Sequence, residues 1–83
     1  MNKTDYIDRI KELVAEELSL PIEEIDEDEN FMRMGLSSLG AMNIIGTIED
    51  ENNIEISPVA VFEYKTISDF AEYLANGGET DFS

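Results

Sequence analysis

The sequence predicts a small all-α fold, a four-helix bundle of three long helices and one short one with a long first loop. Three observations carry this. Apolar residues recur at three- and four-residue steps in three segments. Capping residues and helix breakers bound those segments. No stretch alternates apolar and polar residues over the length of a strand. The 83 residues suit one domain, and neither a repeat nor a boundary divides them, so residues 1–83 are expected to form a single unit.

The first helix is expected over residues 4–19, TDYIDRIKELVAEELS. Ile7, Ile10, Leu13, Val14 and Leu18 make one apolar stripe. Thr4 is the expected N-cap, and Asp5 and Asp8 lie where the helix dipole favours acids. Pro21 should end the helix, because a residue before proline is pushed out of the α region. Residues 20–37, LPIEEIDEDENFMRMGLS, form a connection too long for an idle turn. Leu20, Ile22, Ile25, Phe31, Met34 and Leu36 are spread through it and are expected to pin it to the core, with one short helical turn at Ile22–Ile25.

The second long helix is expected over residues 38–52, SLGAMNIIGTIEDEN. Leu39, Met42, Ile45 and Ile48 lie along one side, and Ala41 and Ile44 widen the arc. Gly40 and Gly46 each weaken a helix interior by about 1 kcal/mol relative to alanine. Close helix packing is the expected reason at Gly46. At Gly40, packing and access to nearby Ser38 explain the glycine equally well. Asn52-Asn53 ends this helix, and Ile54 and Ile56 anchor an extended stretch. Ser57-Pro58 is the expected N-cap and first position of the short helix, whose Val59, Val61, Phe62 and Tyr64 should touch the core. Thr66-Ile67-Ser68-Asp69 has the shape of a capping box with Asp in place of Glu. Ile67, Phe70, Ala71 and Leu74 form the stripe of the last helix. Gly77-Gly78 stops it, and 77–83 is expected to be a frayed tail.

Composition narrows the chemistry. The chain has no cysteine, so no disulfide or thiolate metal site can staple it. It has no histidine, which removes the usual acid/base group near neutral pH and the commonest metal ligand. The 20 acidic residues outnumber 5 basic ones, for a formal charge of -15. Such a field repels nucleic acid and anionic lipid and attracts basic partners. The acids from Glu23 to Glu29 read as a solvated face. DEDEN lacks the alternating ligands and glycine of a calcium loop, so no metal is expected. Apolar runs are too short for a membrane span, and the start lacks the apolar region of a signal peptide. A cytoplasmic location follows.

The stretch Met34-Gly35-Leu36-Ser37-Ser38-Leu39 draws attention. Serine needs an activating base to act as a nucleophile, and none has a motif here. Nor does GLSSLG have the spacing or lysine of a phosphate-binding loop. By register, Ser37 is the better N-cap and Ser38 the first-turn residue. Unpaired N–H groups at a helix start make a seat for a phosphate ester. Two readings therefore stand: a pair of capping serines, or a serine modified by another protein.

From Leu20 to Leu74 the chain resembles the acyl carrier proteins. Gly35, Ser38 and Leu39 match the glycine, serine and leucine of the family's Gly-x-Asp-Ser-Leu motif, and Ser37 stands where its aspartate belongs. Val61-Phe62-Glu63-Tyr64-Lys65-Thr66-Ile67 is similar to the family's phenylalanine, acid, tyrosine, proline, threonine, isoleucine segment, with Lys65 at the proline. Phe70-Ala71-Glu72-Tyr73-Leu74, Pro21-Ile22-Glu23-Glu24-Ile25 and Phe31 also fit. The resemblance implies that residues 1–83 are one carrier domain. It implies a non-catalytic protein, substrate of a phosphopantetheinyl transferase, that bears covalent 4'-phosphopantetheine at Ser38 with Gly35, Ser37 and Leu39 as the surrounding motif. Acyl groups would ride on the arm's thiol as thioesters and be presented to an acyltransferase, a ketosynthase and other pathway enzymes. Ser37 can replace the aspartate as a cap acceptor but not its charge, which implies restricted loading. The VFEYKTI segment and the uncharged Gly40, Asn43 and Thr47, expected to face outward, resemble carriers of polyketide and related secondary metabolism. A chain running from Met1 to just past the last helix reads as a discrete, monomeric protein. The alternatives are a fatty acid synthesis carrier, an aminoacyl or peptidyl carrier, and an acidic helical adaptor that bears no arm.

Overall fold

The computed structural model describes residues 2–57 and 59–76, with Val61 by its backbone alone. In order come α1 (Lys3–Leu18), a single 3-10 turn (Ile22–Glu24), α2 (Ser38–Asn52), the short α3 (Ala60–Glu63) and α4 (Ile67–Ala75). This is the expected all-α plan, and α2 has the predicted bounds. The expected stop at Gly77-Gly78 and the tail lie outside the described residues.

The start of α1 differs from expectation. Asn2, not Thr4, is the N-cap: its side chain accepts from Asp5 N, and the Asp5 carboxylate accepts in return from the Asn2 backbone. This reciprocal box satisfies two donors that a helix start leaves unpaired. At the other end α1 stops at Ser19, in the left-handed conformation with φ 56°. The helix thus closes two residues before Pro21 could act. Its buried residues are Tyr6, Ile10, Val14 and Ala15, while Ile7, Leu13 and Leu18 flank them. The apolar stripe is therefore rotated slightly from the predicted one, because Tyr6 and Ala15 supply contacts that a list of aliphatic residues passes over.

α1 packs chiefly on α4 and less extensively on α2. The expected stripe of α4 is buried throughout, joined by Tyr73. Thr66 caps α4 by accepting from Asp69 N at 3.1 Å. Phe31 meets Phe70 edge-on with ring centroids 6.0 Å apart. Phe31 comes from the long connection, so its ring locks that connection onto α4. Ile25 and Leu36 are buried with it and Met34 is half-buried, whereas Leu20 and Ile22 remain exposed. The last two correct the expectation that all six apolar residues are tethers.

The connection is also held by backbone bonds. Phe31 N donates to Lys65 O at 2.8 Å, Ser68 N donates to Glu27 O at 3.0 Å, and Asn30 and Thr66 form an isolated antiparallel bridge. A long loop must place its polar groups somewhere, and these go to the segment entering α4.

Two further corrections concern the short helix. The expected Ser57 cap is not found. α3 begins at Ala60 after Val59, with no side-chain cap, and Ser57 contributes only its carbonyl to Ala60 N. Pro58 lies outside the described residues. Ala60 is buried and Tyr64 half-buried against the core, but Val59 and Phe62 are each about half exposed. Ala60 supplies the buried contact among the described side chains of this short helix, and the contact expected of Val61 lies outside the described residues.

Candidate functional site at the start of the second helix

The loop arrives at the site through a tight fold. Leu36 N donates to Phe31 O at 3.2 Å, and Gly35 N to Met32 O at 3.1 Å. Between them Gly35 adopts φ 98°, in open space. Its glycine is required by that backbone angle and not by crowding. Leu36 then plunges into the core, and Ser37 follows in extended conformation as the N-cap of α2.

Ser37 Oγ accepts from Gly40 N at 3.0 Å, and Ala41 N closes the first intrahelical bond to Ser37 O at 2.9 Å. The N–H groups of Ser38 and Leu39 precede that bond and have no backbone acceptor of their own. Ser38 is exposed in the first turn, and its hydroxyl makes no hydrogen bond within the described residues. Leu39, beside it, is 73% exposed, and Met42 one turn on is 41% exposed. An exposed hydroxyl at the positive end of a 15-residue helix suits an ester-linked anion.

Leu39 and Met42 were expected on the core side. The buried face of α2 is instead Gly40, Ala41, Ile44, Ile45 and Ile48. Gly40 is consequently not outward-facing. A Cβ there would stand 3.0 Å from Glu17 Cγ and 3.1 Å from Leu36 Cδ1. Close approach of α1 explains this glycine. At Gly46, where packing was expected, a Cβ would meet nothing within 4 Å, and nothing in the structure explains that glycine. Asn43 is exposed but turned to α1, donating to Glu17 Oε1 at 3.3 Å, and Thr47 is half-buried, donating to Asn43 O. The surface beside Ser38 is thus apolar, made by Leu39 and Met42, not the neutral polar face predicted.

The role of Glu17 is not legible in the sequence. It is one of 20 acids, and only the tertiary fold sets it over the start of α2. The signal available is Gly40 itself, since a glycine in a helix interior points to a close neighbour. Among the described residues, no group of three or more acidic side chains is arranged to hold a metal ion.

Known proteins share this fold. Residues 8–74 match the family model described as the phosphopantetheine attachment site. The chain belongs to this family. The carrier domain is 31% identical over 89% of its length to the polyketide synthase PksL of Bacillus subtilis, and 38% identical over 80% to one component of the phenolphthiocerol/phthiocerol polyketide synthase of Mycobacterium tuberculosis. It spans only 2% and 4% of those proteins. Among solved structures, it matches a free-standing peptidyl carrier protein from a secondary metabolic pathway of Acinetobacter baumannii, with TM-score 0.88 and 35% identity over 94% of this chain and 98% of that one. The HMG-ACPI domain from the CurA module of Lyngbya majuscula matches with TM-score 0.82 and 27% identity over 90% of this chain and 76% of that one.

The domain is therefore a carrier similar to those of polyketide synthases, and its family implies covalent 4'-phosphopantetheine. The residues present fit that group: an exposed serine hydroxyl, unpaired helical N–H groups beside it, and a capped helix start that holds both in place.

Proposed function

We propose that Ser38 is the attachment residue and that the domain carries acyl intermediates of polyketide or related secondary metabolism. The single observation that supports Ser38 over Ser37 is the hydrogen bond from Gly40 N to Ser37 Oγ. It commits one serine to the helix cap and leaves the other exposed. Attachment joins Ser38 Oγ to the phosphorus of the pantetheine phosphate as the pyrophosphate bond of coenzyme A breaks. The nucleotide leaves and a separate transferase takes the hydroxyl proton. When bound, the arm supplies a thiol that the cysteine-free chain lacks.

On this reading the chain itself is non-catalytic. Its residues hold the attachment point at the end of a rigid helix and offer Leu39 and Met42 as a small apolar contact to pathway enzymes. The acidic surface steers encounter with basic patches on those enzymes. No helix among the described residues is long and apolar enough to cross a membrane. An aminoacyl or peptidyl cargo is the second reading, favoured by the likeness to the Acinetobacter peptidyl carrier protein.

The test is intact mass after incubation with a broad-range phosphopantetheinyl transferase and coenzyme A. Wild type and Ser37→Ala should gain one arm each, and Ser38→Ala none. Mapping of the arm to Ser37, or no gain by wild type, would overturn the assignment. Loading by acyl-specific against amino-acid-specific enzymes then separates the two cargo classes.

A further inference from the structure

The five basic residues are Lys3, Arg9, Lys11, Arg33 and Lys65. Three are engaged by acids: Lys3 with Glu72, Arg9 with Glu12 and Glu51, and Lys11 with Glu27. Among the described residues, Arg33 and Lys65 alone have no ion pair. Both line one pocket of about 430 Å³, with Asn30, Phe31, Met32 and Phe62. Although the chain has 20 acids, none among the described residues lines this pocket. Met32 and Phe62, 40% and 50% exposed, give it an apolar wall. Its two cationic sides are fixed by backbone, because Phe31 N donates to Lys65 O and Asn30 bridges Thr66. Lys65 also stands at the proline of the acyl carrier segment that this stretch resembles. The composition is that of a site for a small ligand with an apolar body and an anionic end, and the volume lies in the range of small-molecule sites.

The overall charge of -15 decides between occupants. It disfavours a free anion or an acidic partner segment, which must approach through a repulsive field. A tethered group needs no diffusional approach and is present at an effective concentration on the order of millimolar, which offsets that repulsion. The tether is close at hand. Leu36 is bonded to the Phe31 carbonyl, and Ser38 lies two residues further, at most about 7 Å of extended chain. A pantetheine arm is longer than that.

We infer that the pocket between the first loop and α3 binds the free carboxylate of a short carboxylated acyl group carried on the arm at Ser38. Arg33 and Lys65 hold the carboxylate, and Met32 and Phe62 cover the carbon chain. This rests on the carrier reading above and names the class of its cargo. Docking would shield the thioester until a partner withdraws the arm.

The experiment uses the full chain loaded with either of two hydrolysis-resistant arms of equal length, one ending in a carboxylate and one in the isosteric carboxamide. Each carries carbon-13 in its acyl portion. Intact mass first confirms the arm. With the carboxylate arm, NMR should show contacts from the labelled carbons to the Met32 methyl and the Phe62 ring, and shifts of the Arg33 and Lys65 side-chain signals. The carboxamide arm should lose most of these, as should the carboxylate arm on R33Q/K65Q, whose two changes lie on exposed residues and should leave the remaining spectrum intact. Equal contacts from both arms would overturn the inference in favour of an apolar groove. An arm that loads but never reaches the pocket would overturn it too, as would a pocket that responds only to an added acidic peptide. If no arm is added at Ser38, the carrier reading itself fails and takes the inference with it.

Discussion

At the residue scale, two serines and two glycines are separated by what surrounds them, not by what they are. Ser37 spends its oxygen on the cap of α2, so Ser37→Ala should cost about 1 kcal/mol in denaturant unfolding while loading at Ser38 persists. That division is legible in the sequence, because cap and first-turn positions follow from register alone. The glycines are not. Both lie inside a helix, where propensity penalises them alike, and the sequence pattern favours packing at Gly46 while leaving it an even choice at Gly40. Gly46→Ala meets no neighbour within 4 Å and should raise stability by about 1 kcal/mol. Gly40→Ala gains the same propensity but drives a methyl to 3.1 Å from Leu36, which is buried and cannot easily yield. Thermal or denaturant unfolding should therefore rank Gly46→Ala above Gly40→Ala by at least about 1 kcal/mol. Equal gains at the two positions would show that Leu36 and Glu17 relax freely.

At the element scale, the helices are easier to read than the faces they bury. α2 has its predicted bounds because Ser37 and Asn53 are strong local signals at its two ends, the second adopting φ 53° as a left-handed cap. The inward face of α2 lies one step out of phase with the one its hydrophobicity suggests. Leu39 and Met42 look like core, but the approach of α1 and Leu36 over Gly40 turns the helix so that they face solvent. That rotation is tertiary and has no local signature. The long connection is more legible. Its apolar residues are too regularly spread for an idle loop, and Ile25, Phe31 and Leu36 all reach the core. Phe31 carries most of this, through its edge-on contact with Phe70 and the backbone bond to Lys65. Phe31→Ala should cost about 3–5 kcal/mol, a large share of the stability of a domain this small. Leu20→Ala, on a residue 40% exposed, should cost under about 0.5 kcal/mol. Comparable losses from both in urea unfolding would mean that the connection is pinned along its whole length.

At the scale of the whole molecule, charge is the dominant property, and it sets how stability depends on pH and salt. With -15 at neutral pH, like charges repel across the whole surface, and screening should stabilise the fold. Lowering the pH from 7 towards 5 begins to protonate carboxylates and weakens the same repulsion. One contact works in the opposite direction. Arg9 grips Glu51 through Nε and Nη2, joining the middle of α1 to the last turn of α2, and also reaches Glu12. The hydrogen bond from Arg9 holds the Glu51 carboxyl below its ordinary value of 4.5, and the hydrogen bond to Glu51 raises the Arg9 guanidinium above its own. A carboxyl whose value is lowered by folding contributes stability that is present above the unfolded value and is lost as pH falls through the folded one. The contact is solvent-exposed and modest, yet it survives through the range in which repulsion is being relieved. Stability should therefore rise as pH is lowered from 7, and the share owed to this contact should be lost only below about pH 4.5, as Glu51 itself is protonated, which gives the curve an acid limb. Two sets of thermal melts check the account. At pH 7, raising salt from low to roughly 0.15 M should raise the midpoint, and at pH 5 the gain should be smaller. Glu51→Gln removes the titrating partner, so the acid limb should become shallower while the salt effect at pH 7 is kept. A salt-independent midpoint at pH 7 would show that repulsion is unimportant, and an unchanged acid limb in Glu51→Gln would assign that limb to other carboxylates.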